Sequence, residues 1–451
     1  MSVPIAPGRL PLLGHTVSLL RRRAEFTSSL RERGEIVKVH LGPVPTYFVT
    51  SPRFTHQVLV TDGARFRKGI MFERFRPFLG NGLVLSEGAY HRRQRRMVQP
   101  AFHRDRITRY AETMVRAATD LVTSWRPGEV RVVEHDMQAL AVTIVGEVLF
   151  STELGQRAIA ELRRSVFDIT NNGMVRGLSP GFVSRLPLPV NRRFDRATER
   201  MRAIVLEVVA GWRADRVDRG DLLSTLLLAQ DEETGEGMTD EQVYDEVVTM
   251  LAAGIETSAV ALGWVFHELA RNPDVERRVH SEVDEVLSGR PVTAADVPKL
   301  GYLRQVVNEV LRKYPIWLLM RRALEPVDLA GTVLPTGAEV IISPHAVHHD
   351  PANYPDPERF DPDRWTSDRA AALPKGAFVP FGGGIRQCLG NVFAQTEIVI
   401  ALATVAARWR LVPAPGSRPR QKFTSAAYPV DLLMTPVPRE PRPAGTIREA
   451  P

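Results

Sequence analysis

Cysteine is the scarcest residue in this 451-residue chain, present once, as Cys388. A single thiol excludes an internal disulfide framework and a multi-cysteine zinc centre, and it fits a reducing compartment. No Gly/Ser linker or compositional break divides the middle of the chain, so one large unit is expected in place of about three domains of ~150 residues. No export signal opens it. MSVPIAPGRLPLLGH lacks a charged-then-apolar pattern and meets prolines almost at once. No uncharged apolar run reaches membrane-spanning length either. Val247 to Phe266 comes close, but Glu256 at its centre would cost roughly 3 kcal/mol in lipid, so a buried core helix is the better reading. Lys and Arg total 59 against 52 Asp and Glu, a net charge of +7, yet they are not gathered into a basic tract with interleaved aromatics. Nucleic acid is therefore disfavoured, leaving an Arg-rich surface or a basic docking face for an acidic partner.

What is present is a balanced pool, 44% hydrophobic and 25% charged, enough for a large core and too apolar for disorder. To about Val60, short β-prone runs (IVKVHLG, TYFVTS) alternate with an Arg-rich helical pattern, which predicts a small mixed lobe. Beyond it the pattern is mainly helical, with apolar residues at helix spacing in 107–125, 137–150, 157–171, 194–212 and 221–228. Thr239-Asp-Glu-Gln242 is a capping box and Asn272-Pro273 a stop, which together bound a helix of about 33 residues, roughly 50 Å long. Residues 328–343 and 422–434 look strand-like, and the Pro- and Arg-rich tail 437–451 is expected to fray. The stretch 177–191 is rich in Pro and Gly yet carries Phe182, Leu186, Leu188 and Val190; an entrance lid and a loop packed on the core are equally compatible with it.

The lone cysteine lies in FGGGIRQCLG, after three glycines and before a helix-like run, NVFAQTEIVIALATVAARW. A helix N-terminus favours the thiolate, the form that attacks carbon or binds metal. Three uses compete. A nucleophile needs a partnered His and an oxyanion hole, and the neighbourhood offers Arg386 instead. A phosphate loop needs the Lys-Ser/Thr that this run lacks. An axial ligand to iron finds a use for every residue: the glycines for a tight turn and close approach of a flat macrocycle, Phe381 to shield the sulfur, Arg386 to neutralise a propionate, Gly390 to leave room.

FGGGIRQCLG, through Phe381, Gly384, Arg386, Cys388 and Gly390, resembles the Phe-x-x-Gly-x-Arg-x-Cys-x-Gly signature of the cytochrome P-450 family. Three further segments resemble the family in the same order. Glu309-Val-Leu-Arg312, which alone would be a helix-surface pair worth about 0.2–0.5 kcal/mol, resembles its Glu-x-x-Arg. YPDPERF resembles its Pro-Glu-Arg-Phe, which implies a structural network of Glu309, Arg312 and Arg359. Ala253-Gly-Ile-Glu-Thr257 would otherwise be an irregularity in a core helix. It resembles the family's oxygen-activation groove, with Thr257 and Glu256 guiding protons. In HRRQRRMVQPAF, the resemblance implies that His91 and Arg95 contact haem propionates and that Arg92, Arg93 and Arg96 can meet a redox partner. Arg321 is a third propionate candidate, although Arg322 could take the role. His345, His348, His349 and Asp350 read as a loop in preference to a second metal site.

The resemblance runs from Pro7 to Val437. It implies a mainly α fold, a triangular helical prism with a smaller β-rich lobe, and a single haem domain over residues 1–436. It implies haem b as cofactor with Cys388 as metal ligand, and a monooxygenase that puts one atom of dioxygen into an apolar small molecule. The soluble bacterial type is expected: a cytoplasmic monomer with no membrane anchor, taking electrons from a separate ferredoxin and its NAD(P)H-dependent ferredoxin reductase. The substrate surface is expected from Phe72, Leu83, Met250, Ala253, Leu318 and Leu319, an apolar set that suits a terpenoid, with a fatty acid or macrolide-type polyketide as alternatives. A peroxide-driven enzyme would replace the Glu256–Thr257 pair, and a non-catalytic haem sensor or carrier would not need it.

Overall fold

The alternation in IVKVHL makes Ile36–Leu41 a strand, paired antiparallel with Val44–Val49 in a tight hairpin. In the computed structural model, which describes residues 3–150, 157, 159–161, 186–423 and 426–439, the hairpin is completed from far along the chain. Glu339–Ile342 runs parallel to Val44–Val49 and antiparallel to Leu319–Ala323, and Phe66–Lys68 closes the edge. Val340 and Ile342 pack with Val49, Val58 and Leu59 on one face, while Ile341 packs with Leu19, Phe26, Leu30 and Phe48 on the other. With both faces covered, Val340, Ile341 and Ile342 of this strand read as continuous apolar sequence after the buried Glu339, each such apolar side chain contributing ~1.5–3 kcal/mol on burial. This sheet belongs to the first of two compact units, built from Met1–Glu73, Asn308–Cys388 and Phe423–Ala427.

The second unit comprises Arg74–Val307, Leu389–Lys422 and Tyr428–Pro451 and is mainly helical. Its axis is Asp240–Arg271, 32 residues, started by the expected capping box: Gln242 N donates to Thr239 Oγ1 at 3.3 Å and Thr239 N to Gln242 Oε1 at 3.0 Å. It lies along Val133–Leu149, and the approach is close enough that a Cβ on Gly254 would stand 3.1 Å from Val145 Cγ2. Among the described residues it is the one helix long and apolar enough to cross a membrane, and 67% of its most apolar window is buried in the protein. Arg104–Ser124, Pro189–Asp215 and Leu222–Leu228 fulfil the other helical patterns. Of the expected helix 157–171 only 157 and 159–161 fall within the described residues, and those are helical.

The strand-like stretches resolve into shorter pieces. Residues 328–343 hold part of the hairpin Val327–Leu329 with Thr332–Leu334, and then the sheet strand Glu339–Ile342. The second stretch, 422–434, holds the end of Arg420–Phe423, all of Ala427–Val430 and the start of Leu433–Pro438; the last pairs antiparallel with Trp409–Pro413, so regular structure runs past 437 despite Pro436 and Pro438. Of 177–191, Leu186, Leu188 and Val190 are exposed, Val190 already within a helix begun by Pro189. Residues 177–185, with Phe182, lie outside the described residues.

Candidate active site

In the first unit the cysteine loop is folded by its own backbone. Gly382 N donates to Val379 O at 3.1 Å, Gln387 N to Gly384 O at 3.0 Å, and Cys388 N to Phe381 O at 2.9 Å. Gly384 has φ +63°, and a Cβ there would fall 2.1 Å from the carbonyl oxygen of Leu59. Only glycine meets both demands. The close approach this glycine serves is thus to the protein's own turn at Gln57–Thr61, a use the sequence did not suggest. Cys388 presents an exposed side chain, with Phe381 and Arg386 half-buried beside it in sequence.

The loop grows from a braced base. Arg312 donates from Nε and Nη2 to the two oxygens of Glu309, each at 2.8 Å, and both side chains are fully buried. Asp361 N and Trp365 Nε1 each add a bond to Glu309 at 3.0 Å, and Arg364 Nε stands 3.4 Å from it. A buried carboxylate costs several kcal/mol unless its lone pairs are met in this way. Arg312 Nη1 also donates to His348 O at 3.0 Å, and His348 Nε2 accepts from Val379 N at 2.9 Å. The network thus reaches the residue from which the glycine turn departs. Burial lowers His348 to about 3, assisted by nearby Arg312, which keeps Nε2 free to accept.

Arg359 enters this network differently from the expectation. Its side chain is exposed, and it meets Arg312 Nη2 only through its backbone carbonyl, at 3.5 Å. The second guanidinium beside Glu309 belongs to Arg364, which a further turn of chain carries inward while Arg359 faces water. Arg364, Trp365 and His348 were missed because a short motif does not show which later side chains fold back on it. The histidines weighed as a metal site are spent on packing: His345 and His349 stack with centroids 3.9 Å apart, and His349 Nδ1 lies 3.0 Å from His345 O.

Arg321 and Arg322 point to opposite faces of their strand. Arg322 stands 3.5 Å from Glu339, whereas Arg321 is buried, with Nη1 donating to Met320 O at 2.9 Å. Phe72 and Leu318 are half-buried against the core cluster around Phe48, while Leu319 packs against the cluster on the other face.

In the second unit the long helix carries Met250, Ala253, Glu256 and Thr257. Ala253 and Thr257 are exposed in a helix whose neighbouring positions Leu251, Ile255, Ser258 and Ala259 are buried. Thr257 Oγ1 donates to Ala253 O at 2.8 Å, and Glu256 is half-buried. Next to Thr257, Ser258 Oγ donates to Glu397 at 2.6 Å; Glu397 is fully buried, and burial pushes it up to about 8. Its signal was legible, a lone acid within the apolar run after Cys388, but nothing in the sequence named its partner. His91, buried, and Arg95, half-buried, sit one turn apart in Gly88–Val98. On the same helix Arg92 is exposed, but Arg96 pairs with Asp231 at 3.0 Å and Arg93 with Glu236 at 3.4 Å. Two of the three arginines expected to face a redox partner are therefore paired within the protein. Gly390 precedes helix Asn391–Arg408, and a Cβ on it would make ordinary contact with Phe102 at 3.7 Å. Leu83 is half-buried, its N–H bonded to Glu246 at 3.0 Å.

The donor set fits a haem. The described residues contain no cluster of three or more His, Cys, Asp or Glu side chains able to hold a metal unaided. Cys388 can give one soft, anionic ligand, so an iron bound there must bring its other ligands with it, as a macrocycle does.

The comparisons agree. The sequence matches the cytochrome P450 family across residues 4–441. The chain belongs to that family. It is 44% identical over 440 residues to cyclooctatin synthase of Streptomyces melanosporofaciens, covering 96% of this chain and 95% of that protein. It is 44% identical over 414 residues to cyclooctat-9-en-7-ol 5-monooxygenase of the same organism, covering 91% and 90%. It is 38% identical over 426 residues to pentalenene oxygenase of Streptomyces avermitilis, covering 94% of each. The crystal structure of the cytochrome P450DA heme domain superposes with a TM-score of 0.87 at 25% identity, covering 97% of this chain and 98% of that one. The mainly α cytochrome P450 fold, haem as cofactor and monooxygenase activity follow.

Proposed function

We propose that this cytochrome P450 monooxygenase hydroxylates a cyclic terpenoid in natural-product biosynthesis. The observation that carries the proposal is the lone exposed thiol of Cys388, held in a glycine turn whose base is fixed by the buried Glu309–Arg312–His348 network. The substrate class is supported by two relatives whose names specify cyclooctat-9-en-7-ol and pentalenene, together with the apolar character of Phe72, Leu83, Met250, Ala253, Leu318 and Leu319.

When bound, haem would supply dioxygen binding and the oxidising chemistry, and a thiolate ligand would tune it toward oxygen activation. Cys388 would hold the haem iron through its thiolate. Arg386, Arg321, His91 and Arg95 are assigned to the carboxylates of the cofactor. Arg321 is preferred over Arg322, because Arg322 is committed to Glu339. Phe381, half-buried beside the exposed thiol, is assigned to shield the sulfur from water once the cofactor is bound. Thr257 holds and passes a proton at Oγ1, which its bond to Ala253 O keeps oriented, and Glu256 relays protons to it. The electron donors are assigned as a ferredoxin and its NAD(P)H-dependent reductase, acting in the cytoplasm.

The test is turnover of the haem-loaded protein with a ferredoxin, its reductase, NADPH and isotopically labelled dioxygen, with pentalenene and cyclooctat-9-en-7-ol as substrates. A product that gains one labelled oxygen supports the assignment. Labelled products only from fatty acids or macrolides would replace the terpenoid.

A further inference from the structure

Two neighbouring carboxylates of the long helix are bonded to main chain. Asn81 N donates to Asp245 Oδ2 at 2.8 Å and Leu83 N to Glu246 Oε2 at 3.0 Å. Both acids are buried, Glu246 to 1% exposure, and neither forms an ion pair among the described residues. Burial pushes Glu246 up to about 7 against the pull of the Leu83 N–H. Retaining two such acids is costly, and the return on that cost is fixed geometry.

The loop they hold is shaped to lie flush on the helix. A Cβ on Gly80, where φ is +65°, would stand 1.8 Å from Asp245 Oδ1. One on Gly82 would stand 2.3 Å from Thr249 Oγ1 and 2.5 Å from Asp245 O. Two glycines and two acids thus describe one docking. Arg76 tightens it from the loop side, donating to Asn81 Oδ1 at 2.6 Å and to Leu85 O at 3.1 Å.

The helix then relates this docking to the reacting end. Glu246, Met250, Ala253 and Thr257 recur at i, i+4, i+7 and i+11, which places them on one face. From Glu246 to Thr257 the axial rise is about 17 Å. We infer that Asp245 and Glu246 are specificity-determining positioning residues, which fix the backbone of Gly80–Leu83 on the helix face that leads to Thr257 and so set the length of apolar substrate that fits between Leu83 and Thr257. The inference rests on the proposed roles of Leu83 and Thr257 toward substrate; the fixing of the loop does not.

The experiment uses full-length, haem-loaded protein as wild type, Glu246→Ala, Glu246→Gln and Gly82→Ala. Amide hydrogen exchange over residues 80–86 is read beside spin-state titrations with a compact and a larger cyclic terpenoid. Glu246→Ala should speed exchange in this segment by about tenfold, the loss of one charge-assisted hydrogen bond, and should reduce the preference for the better-fitting terpenoid. Glu246→Gln, which keeps an acceptor oxygen, should restore both. Gly82→Ala, which lifts the loop and leaves the acids in place, should act like Glu246→Ala and carries the test if that variant fails to load haem. Unchanged exchange at 80–86 in Glu246→Ala or Gly82→Ala overturns the inference, as does faster exchange with unaltered ligand preference. If no terpenoid shifts the wild-type spectrum, the substrate reading fails separately, while the exchange data still decide whether the acids hold the loop.

Discussion

Ser258 and Glu397 share a hydrogen bond of 2.6 Å, sealed from solvent, one residue beyond Thr257 in sequence. The bond joins the long helix to the helix that follows Cys388, both within the second unit, and its acid holds a proton at neutral pH.

That proton has a measurable consequence. Between the ordinary glutamate value of 4.5 and about 8, native Glu397 is protonated while the unfolded chain is not. Stability contributed here therefore falls as pH rises through that window, by up to about 1.4 kcal/mol per pH unit. Glu397→Gln keeps an acceptor for Ser258 and cannot titrate. Denaturant unfolding at pH 5 and pH 8 should show wild type losing stability relative to the variant; equal pH dependence in the two proteins would remove the buried proton.

The histidines act in the opposite sense. Burial lowers His345 to about 4 and His348 to about 3, and lowers His349 further, with Arg312 adding repulsion. Below about 6.5 the unfolded chain binds protons that these native rings refuse, so stability is lost as pH falls toward 4. Proton uptake on unfolding at pH 5 should approach about three for this cluster. His348→Gln should lower that uptake by one; no change would place the lability elsewhere.

Arg359 and Arg364 separate motif from contact. With its side chain in water, Arg359→Ala should change stability by no more than about 0.5 kcal/mol. Removing Glu309 leaves Arg312 buried and uncompensated, so Glu309→Ala should cost about 3–5 kcal/mol and impair haem loading. Arg364→Ala should fall between them. Thermal unfolding checks the order, and an Arg359→Ala loss equal to that of Glu309→Ala would restore the expected trio.

These cases mark where the sequence is legible. The thiol loop, the long helix with its capping box and the alternating strand at Ile36 are written locally, in spacings of a few residues. The completion of that strand's sheet by Leu319–Ala323 and Glu339–Ile342 is not, because pairing across nearly three hundred residues is settled by packing both faces at once. Gly384 was found for its turn and missed for its contact with Leu59. No sequence pattern marks Asp245 and Glu246 as anchors of a loop, since backbone N–H groups leave no mark in a sequence.

Thr257 bears on chemistry without bearing on the fold. Its side chain is exposed and bonds only to the preceding turn among the described contacts, so Thr257→Ala should leave stability within about 0.5 kcal/mol of wild type. The hydroxylated product formed per NADPH consumed should fall severalfold, with Thr257→Ser largely restoring it. Equal yield per electron in Thr257→Ala would end its assignment as a proton donor.

The most direct test of the whole account is a spin-state titration of the purified, haem-loaded ferric protein with cyclic terpenoids, run beside fatty acids and macrolides. A saturable low-to-high-spin shift with a terpenoid, abolished together with the thiolate spectrum in Cys388→His, is the predicted result. A protein that binds no haem, or whose spectrum is indifferent to loss of Cys388, contradicts it.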